Sequence, residues 1–102
     1  MKPMLAISKL EQLAWLAATA EVDIDKAALY GATISLVSEL NGAEDMIALG
    51  MGEPLERARW SICSMLGYED PNEHDKDTHL VWALGLIAIM RRNLNGHGAL
   101  DR

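Results

Sequence analysis

The sequence predicts an all-α fold: a small single-domain helical bundle of four main helices plus one short helix, with the hydrophobic C-terminal helix at its centre. Three observations predict it. Hydrophobic residues make up 50% of the chain, yet aromatics are only 5% and Phe is absent. The core must then be built from Leu, Ile, Ala and Met with three Trp, a composition that favours helices over sheets. The run from Leu80 to Met90 carries no polar side chain apart from the indole nitrogen of Trp82. As a helix it rises about 16 Å, too short to span a bilayer, so it belongs in a core or an interface. Finally, capping residues and glycines recur where apolar periodicity breaks.

The first helix is expected from Ser8 to about Ala20, because Ser8 and Glu11 have the spacing of a capping box. Leu10, Leu13, Ala14, Leu16, Ala17 and Ala20 share one face at 100° per residue, and Trp15 falls off it. The acidic connector Glu21–Asp25 leads to a second helix over Lys26–Leu40, with Asp25 as N-cap and Asn41-Gly42 as its stop. Its small residues Ala28, Gly31, Ala32, Ser35 and Ser38 admit either a close helical neighbour or an ordinary solvent face.

Ala43–Leu49 reads as two short helical turns, with Glu44 and Asp45 at the positive end. Gly50 and Gly52 break it, and Pro54 suits the first position of a helix reaching Leu66. Leu55, Ala58, Ile62, Met65 and Leu66 form its buried face; Glu53–Arg57 and Glu56–Arg59 are surface pairs, and Trp60 lies off the apolar face. The segment from Gly67 to Lys76 reads as a solvated loop. Asp75 and Asp77 then open the last helix, Arg91 and Arg92 occupy its last turn, Asn95-Gly96 ends it, and the tail beyond frays.

At 102 residues the chain (1–102) makes one domain. A net charge of −6 argues against direct nucleic-acid binding, which needs Lys and Arg to displace counterions from phosphates. Cys63 is the only cysteine, so no internal disulfide forms and a reducing, cytoplasmic setting is expected. Neither an export signal nor a transmembrane segment is read, since Ser8, Lys9, Glu11 and Gln12 interrupt the apolar start.

Chemistry-bearing groups concentrate between Asp70 and His79. Glu73, His74, Asp75, Asp77 and His79 are conceivable metal ligands, but Pro71, His74 and Lys76 break the alternating oxygen donors of a calcium loop, and the Cys lies elsewhere. No metal and no cofactor is therefore expected, and the segment reads as capping, solvated loop. Glu53 with Glu56, followed by Asp70 with Glu73, resembles the paired acidic motifs of all-helical magnesium-dependent nucleotide pyrophosphohydrolases. The resemblance implies a metal-dependent hydrolase of nucleotides that uses those four carboxylates, although the basic phosphate-binding partners are missing. Cys63 sits in a half-buried helical segment, where a thiol is generally inert.

Charge distribution points elsewhere. Between Ala20 and Glu53, seven acids (Glu21, Asp23, Asp25, Glu39, Glu44, Asp45, Glu53) face the one base Lys26. Such a surface suits a basic protein partner. The leading expectation is a non-catalytic protein–protein interaction module, a small acidic regulator or inhibitor of another protein. A protein that occludes a nucleic-acid-binding machine, as phage-encoded inhibitors do, is one such form. A homodimer is also expected, because Trp15 and Trp60 lie off their helices' buried faces and the last helix has two bulky sides. Leu80, Leu84 and Ile87 form one side; Trp82, Leu86, Ile89 and Met90 form the other. The monomeric alternative has Met4, Leu5, Ile7 and the short helix covering that second side. The interaction residues named by this reading are Trp15, Trp60, Trp82, Leu86, Ile89 and Met90, with the acids Glu21, Asp23, Asp25, Glu44 and Asp45.

Overall fold

In a computed structural model, which describes residues 2–70 and 73–97, the chain is all-helical: α1 (Pro3–Thr19), α2 (Asp23–Asn41), α3 (Glu44–Ala48), α4 (Gly52–Met65) and α5 (Lys76–His97). No helix among these residues is long and apolar enough to cross a membrane. The four main helices and the short one stand as expected, but several ends move.

Helix α1 begins at Pro3 rather than Ser8, so the Ser8 cap is not made. Pro3 pre-sets φ at the first position, and the spacing of buried Pro3, Ala6, Ile7, Leu10, Ala14 and Ala17 carries the helix from there. Leu16, placed on the buried face by periodicity, is exposed. Helix α2 starts after Val22 with no side-chain cap, which puts Asp23 and Asp25 inside its first turn, where their charge favours the positive helix end. Its small residues Ala28, Gly31, Ala32, Ser35 and Ser38 are all exposed; Ala28, Ala32 and Ser35 line clefts shared with α1, which flanks that side without burying it. Helix α4 starts two residues before Pro54, which still lies in the first turn, where its missing N–H leaves no hydrogen bond broken. Its predicted buried face is found intact: Leu55, Ala58, Ile62, Met65 and Leu66 are all in the core.

Helix α5 packs most extensively on α4 and then on α1. The central position expected of the last helix is thus found, but not its burial all round. His79, Ala83, Ile87, Met90 and Leu94 form one buried stripe, while Val81, Trp82, Gly85, Ala88 and Ile89 face outward. Asp75 starts the helix by accepting the Thr78 N–H at 2.8 Å. The helix runs through Asn95 and Gly96 to His97, so that pair does not stop it and Arg91 and Arg92 lie before the last turn. The fraying expected of the tail concerns mainly residues 98–102, which lie outside the described residues. Arg91 reaches across to Glu11 of α1 at 3.1 Å, and Lys76 donates to the Ala20 carbonyl at 3.1 Å, tying the second half of α5 to α1 and its start to the residue that ends α1.

The core joins Ile7 and Leu10 of α1, Leu40 of α2, Met46 of α3, Leu55 and Ile62 of α4, and Ile87, Met90 and Leu94 of α5. Ile87→Ala is expected to lower unfolding stability by about 2–5 kcal/mol, the range for deleting a fully buried branched side chain; chemical denaturation at neutral pH reads this. Gly31, by contrast, is exposed in mid-α2 and a Cβ there meets nothing within 4 Å. Gly31→Ala is expected to raise stability by about 0.5–1 kcal/mol, measured in the same titration.

Candidate functional site: a histidine–aspartate clamp beside an apolar groove

The segment after α4 is the loop that its composition suggests, with Gly67, Tyr68, Glu73, His74 and Asp75 exposed, but the side chain of Asp70 within it is buried. Gly67, at φ +90, turns the chain, and each of the next three side chains is held by a different element. Tyr68 stacks on Tyr30 of α2 with ring centroids 4.2 Å apart. Glu69 accepts from Arg59 Nη1 of α4 at 2.8 Å. Asp70, in the left-handed region at φ 41, presents Oδ2 to two imidazoles. That single oxygen lies 2.7 Å from His74 Nδ1 and 2.7 Å from His79 Nε2.

Burial gives the cluster its character. The Asp70 side chain is 3% exposed, that of His79 1% and that of His74 41%. Burial pushes the Asp70 carboxyl up, but the hydrogen bonds from His74 and His79 outweigh it and hold the pKa below its ordinary value. An ionised carboxylate only accepts, so both imidazoles present N–H to it. For His79 this leaves Nδ1 buried without a hydrogen-bond partner among the described residues.

Trp60 of α4 and Trp82 of α5 enclose the histidines edge-on. Their rings lie 5.0 and 5.3 Å from that of His79, and Trp82 lies 4.9 Å from His74. The other sides of the same two indoles line an open groove of about 620 Å³ between α4 and α5. Val81, Gly85, Leu86 and Ile89 complete its apolar lining, and Glu56, Arg57 and Arg59 form a charged rim. Arg59 donates to Glu56 at 2.7 Å and to Glu69, and these hydrogen bonds, that to Glu56 the largest, raise its pKa despite partial burial. Cys63 is fully buried, and burial pushes its thiol up, away from the reactive thiolate.

Four of the six apolar residues expected at an interface, Trp60, Trp82, Leu86 and Ile89, therefore meet in one groove. Trp15 is exposed on α1 and outside the groove lining. Met90 is a correction: it is fully buried, because it lies three residues after Ile87 and four before Leu94 and so shares their stripe. Glu21, Asp23 and Asp25 are exposed around the start of α2, whereas Glu44 and Asp45 lie past its end, about 28 Å away along the helix. Asp45 is 3.6 Å from His97. The carboxylates of the hydrolase reading are not gathered: Glu56 is engaged by Arg59 and Asp70 by the histidines. Among the described residues, the metal-compatible set of three or more is Asp70, His74 and His79; Glu53, Glu56, Glu73, Asp75 and Asp77 are not in it.

His79 was legible in principle. It lies four residues before Ala83, in phase with the buried stripe, and a buried histidine requires a polar partner. Which partner it takes depends on the turn after α4. Compared with known proteins, the chain matches no family model, no curated protein and no solved structure.

The depressed pKa of Asp70 makes the clamp pH-dependent. Its folded-state pKa lies below the unfolded one, so its stabilisation is complete above the ordinary value of 3.8 and is lost as pH falls through the lower folded value. Thermal melts of the wild type below about pH 4 should lose stability faster than those of Asp70→Asn, which has no carboxyl to protonate; parallel curves would remove the clamp from the acid response.

Proposed function

We propose that the protein is a non-catalytic interaction module that pairs with a second copy of itself through the outer face of α5. The observation that carries this reading is the exposure of large apolar side chains there: Val81 is 68% exposed, Trp82 41% and Ile89 40%. Gly85 and Ala88 lie between them, also exposed, so the solvent side of α5 is apolar for about two and a half turns. Leu5 is itself exposed and Ile7 is in the core, so the N-terminal segment leaves this face uncovered. An apolar patch of this continuity is characteristic of a contact surface.

A second copy fits the face by register and by charge. A Cβ on Gly85 would meet nothing within 4 Å, so a second helix can approach its backbone closely. In an antiparallel pair with a two-fold axis at Gly85, Ile89 of one chain comes against Trp82 of the other and Val81 against Ala88. Asp77, eight residues before Gly85, then lies at the level of Arg92 of the second copy, seven residues after its own Gly85, on the same side of the contact. Both are exposed, and opposite charges meet at each end.

The acids Glu21, Asp23 and Asp25 lie on α2 and the connector before it, outside the paired face. They give the assembly an acidic surface for a basic protein, consistent with a cytoplasmic regulator or inhibitor of another protein. Sedimentation equilibrium at micromolar concentration is expected to give twice the 11.2 kDa chain mass. Gly85→Trp, whose side chain points into open space in one chain but into the partner across the axis, should return the chain mass with helicity unchanged. A wild-type mass of one chain at every concentration, or a dimer that persists in Gly85→Trp, defeats the reading.

A further inference from the structure

We propose that Asp70, His74 and His79 form a binding site for a divalent transition-metal cation of the zinc class. The inference stands apart from the pairing of α5, since the three residues meet within one chain. One donor atom from each lies within 4.8 Å of the others. The set of two imidazole nitrogens and one carboxylate oxygen suits zinc, nickel or cobalt and is wrong for magnesium or calcium, which take oxygen ligands.

The arrangement of the hydrogen bonds is what points to a cation. Both imidazoles address the same oxygen, Oδ2, at 2.7 Å, so three donor atoms converge on one locus. Around a tetrahedral zinc ion with bonds of about 2.0–2.1 Å, neighbouring donors stand about 3.4 Å apart. Reaching that geometry requires Oδ2 to withdraw by about 0.7 Å from each nitrogen and the two imidazoles to settle around the ion. His79 is fixed inside α5, whereas His74 is half-exposed in the bend before that helix and can supply the adjustment. The exposed His74 edge also gives the ion its route in and leaves a fourth position to water.

The proton inventory sets the expected strength. To bind the ion, His74 Nδ1 and His79 Nε2 must be free of a proton, so each ring then carries its proton on the opposite nitrogen. For His74 that nitrogen belongs to the half-exposed side chain; for His79 it is the buried Nδ1, which has no acceptor. The missing outer hydrogen bond is the kind that contributes about 10–100-fold in affinity. The site is therefore weaker than one whose outer hydrogen bonds are complete. Because Trp60 and Trp82 pack edge-on to these imidazoles and also line the groove, occupancy is felt at the groove wall.

Cobalt(II) titration of the chelator-stripped full chain tests the proposal, with visible absorption reporting four-coordinate geometry and tryptophan emission reporting Trp60 and Trp82. Saturable binding of one ion per chain, displaced by zinc and accompanied by a rise in melting temperature, is expected. His74→Ala should weaken binding at least roughly tenfold, with helicity retained because the side chain is half-exposed; if it perturbs folding, His74→Gln serves the same purpose. His97→Ala, at the far end of α5, should bind as the wild type does. Absence of any spectral or thermal response at large molar excess overturns the proposal. So does binding that survives in His74→Ala, or binding lost only in His97→Ala.

Discussion

Every helix of this chain is placed, directly or at one remove, by the stripe His79–Ala83–Ile87–Met90–Leu94 along α5. A chain of 102 residues has material for one core, and this 22-residue helix is long enough to run through all of it. Helices α1 and α4 bury their own stripes against it and against each other, and α2 closes on α1 and α4. Because α5 is covered from one side only, its opposite side is left apolar and exposed. The same helix thus sets the core and offers the surface.

The turn after α4 is the second organising feature. Three consecutive side chains, Tyr68, Glu69 and Asp70, tie it to α2, α4 and α5 by stacking, an ion pair and a shared carboxylate respectively. Interactions of this kind are individually modest in water, but the Asp70–His79 contact is buried, where an ionic hydrogen bond is stronger and its loss leaves a buried group unpaired. The turn positions the histidines against Trp60 and Trp82, and those indoles form the groove wall. Groove and clamp are one structure seen from two sides.

Much of this was legible in the residues. Composition, apolar periodicity and the glycine breaks foretold the helical class, the number of helices and most core positions, including the whole buried face of α4. Trp60 was named from the sequence because it lies off the buried face of its helix, and Trp82, Leu86 and Ile89 as one bulky side of the last helix; the structure brings the four to one groove. Helix starts were less legible. Ser8 has the form of a cap, yet buried Pro3, Ala6 and Ile7 draw the helix back by five residues; Asp25 likewise yields to a start at Asp23. In α1 tertiary burial outweighs a cap whose contribution is about 1 kcal/mol, whereas in α2 the first turn is exposed and Asp23 and Asp25 lie within it at the positive helix end.

What the sequence by itself determined is the local content: helical periodicity, the charge of −6, the breaks, and the pairing of Glu56 with Arg59 one turn apart. Only the tertiary structure decided which side of α5 faces inward, because a helix apolar on all sides has no preferred phase until its neighbours are placed. That choice moved Met90 from surface to core and left Val81 and Ile89 outside. Only the tertiary structure joined Asp70 to His79, nine residues apart across a turn, since a carboxylate in a polar segment reads as solvated until a buried imidazole claims it. Local interactions set period and ends; phase and polar partnership depend on contacts that no short window of sequence contains.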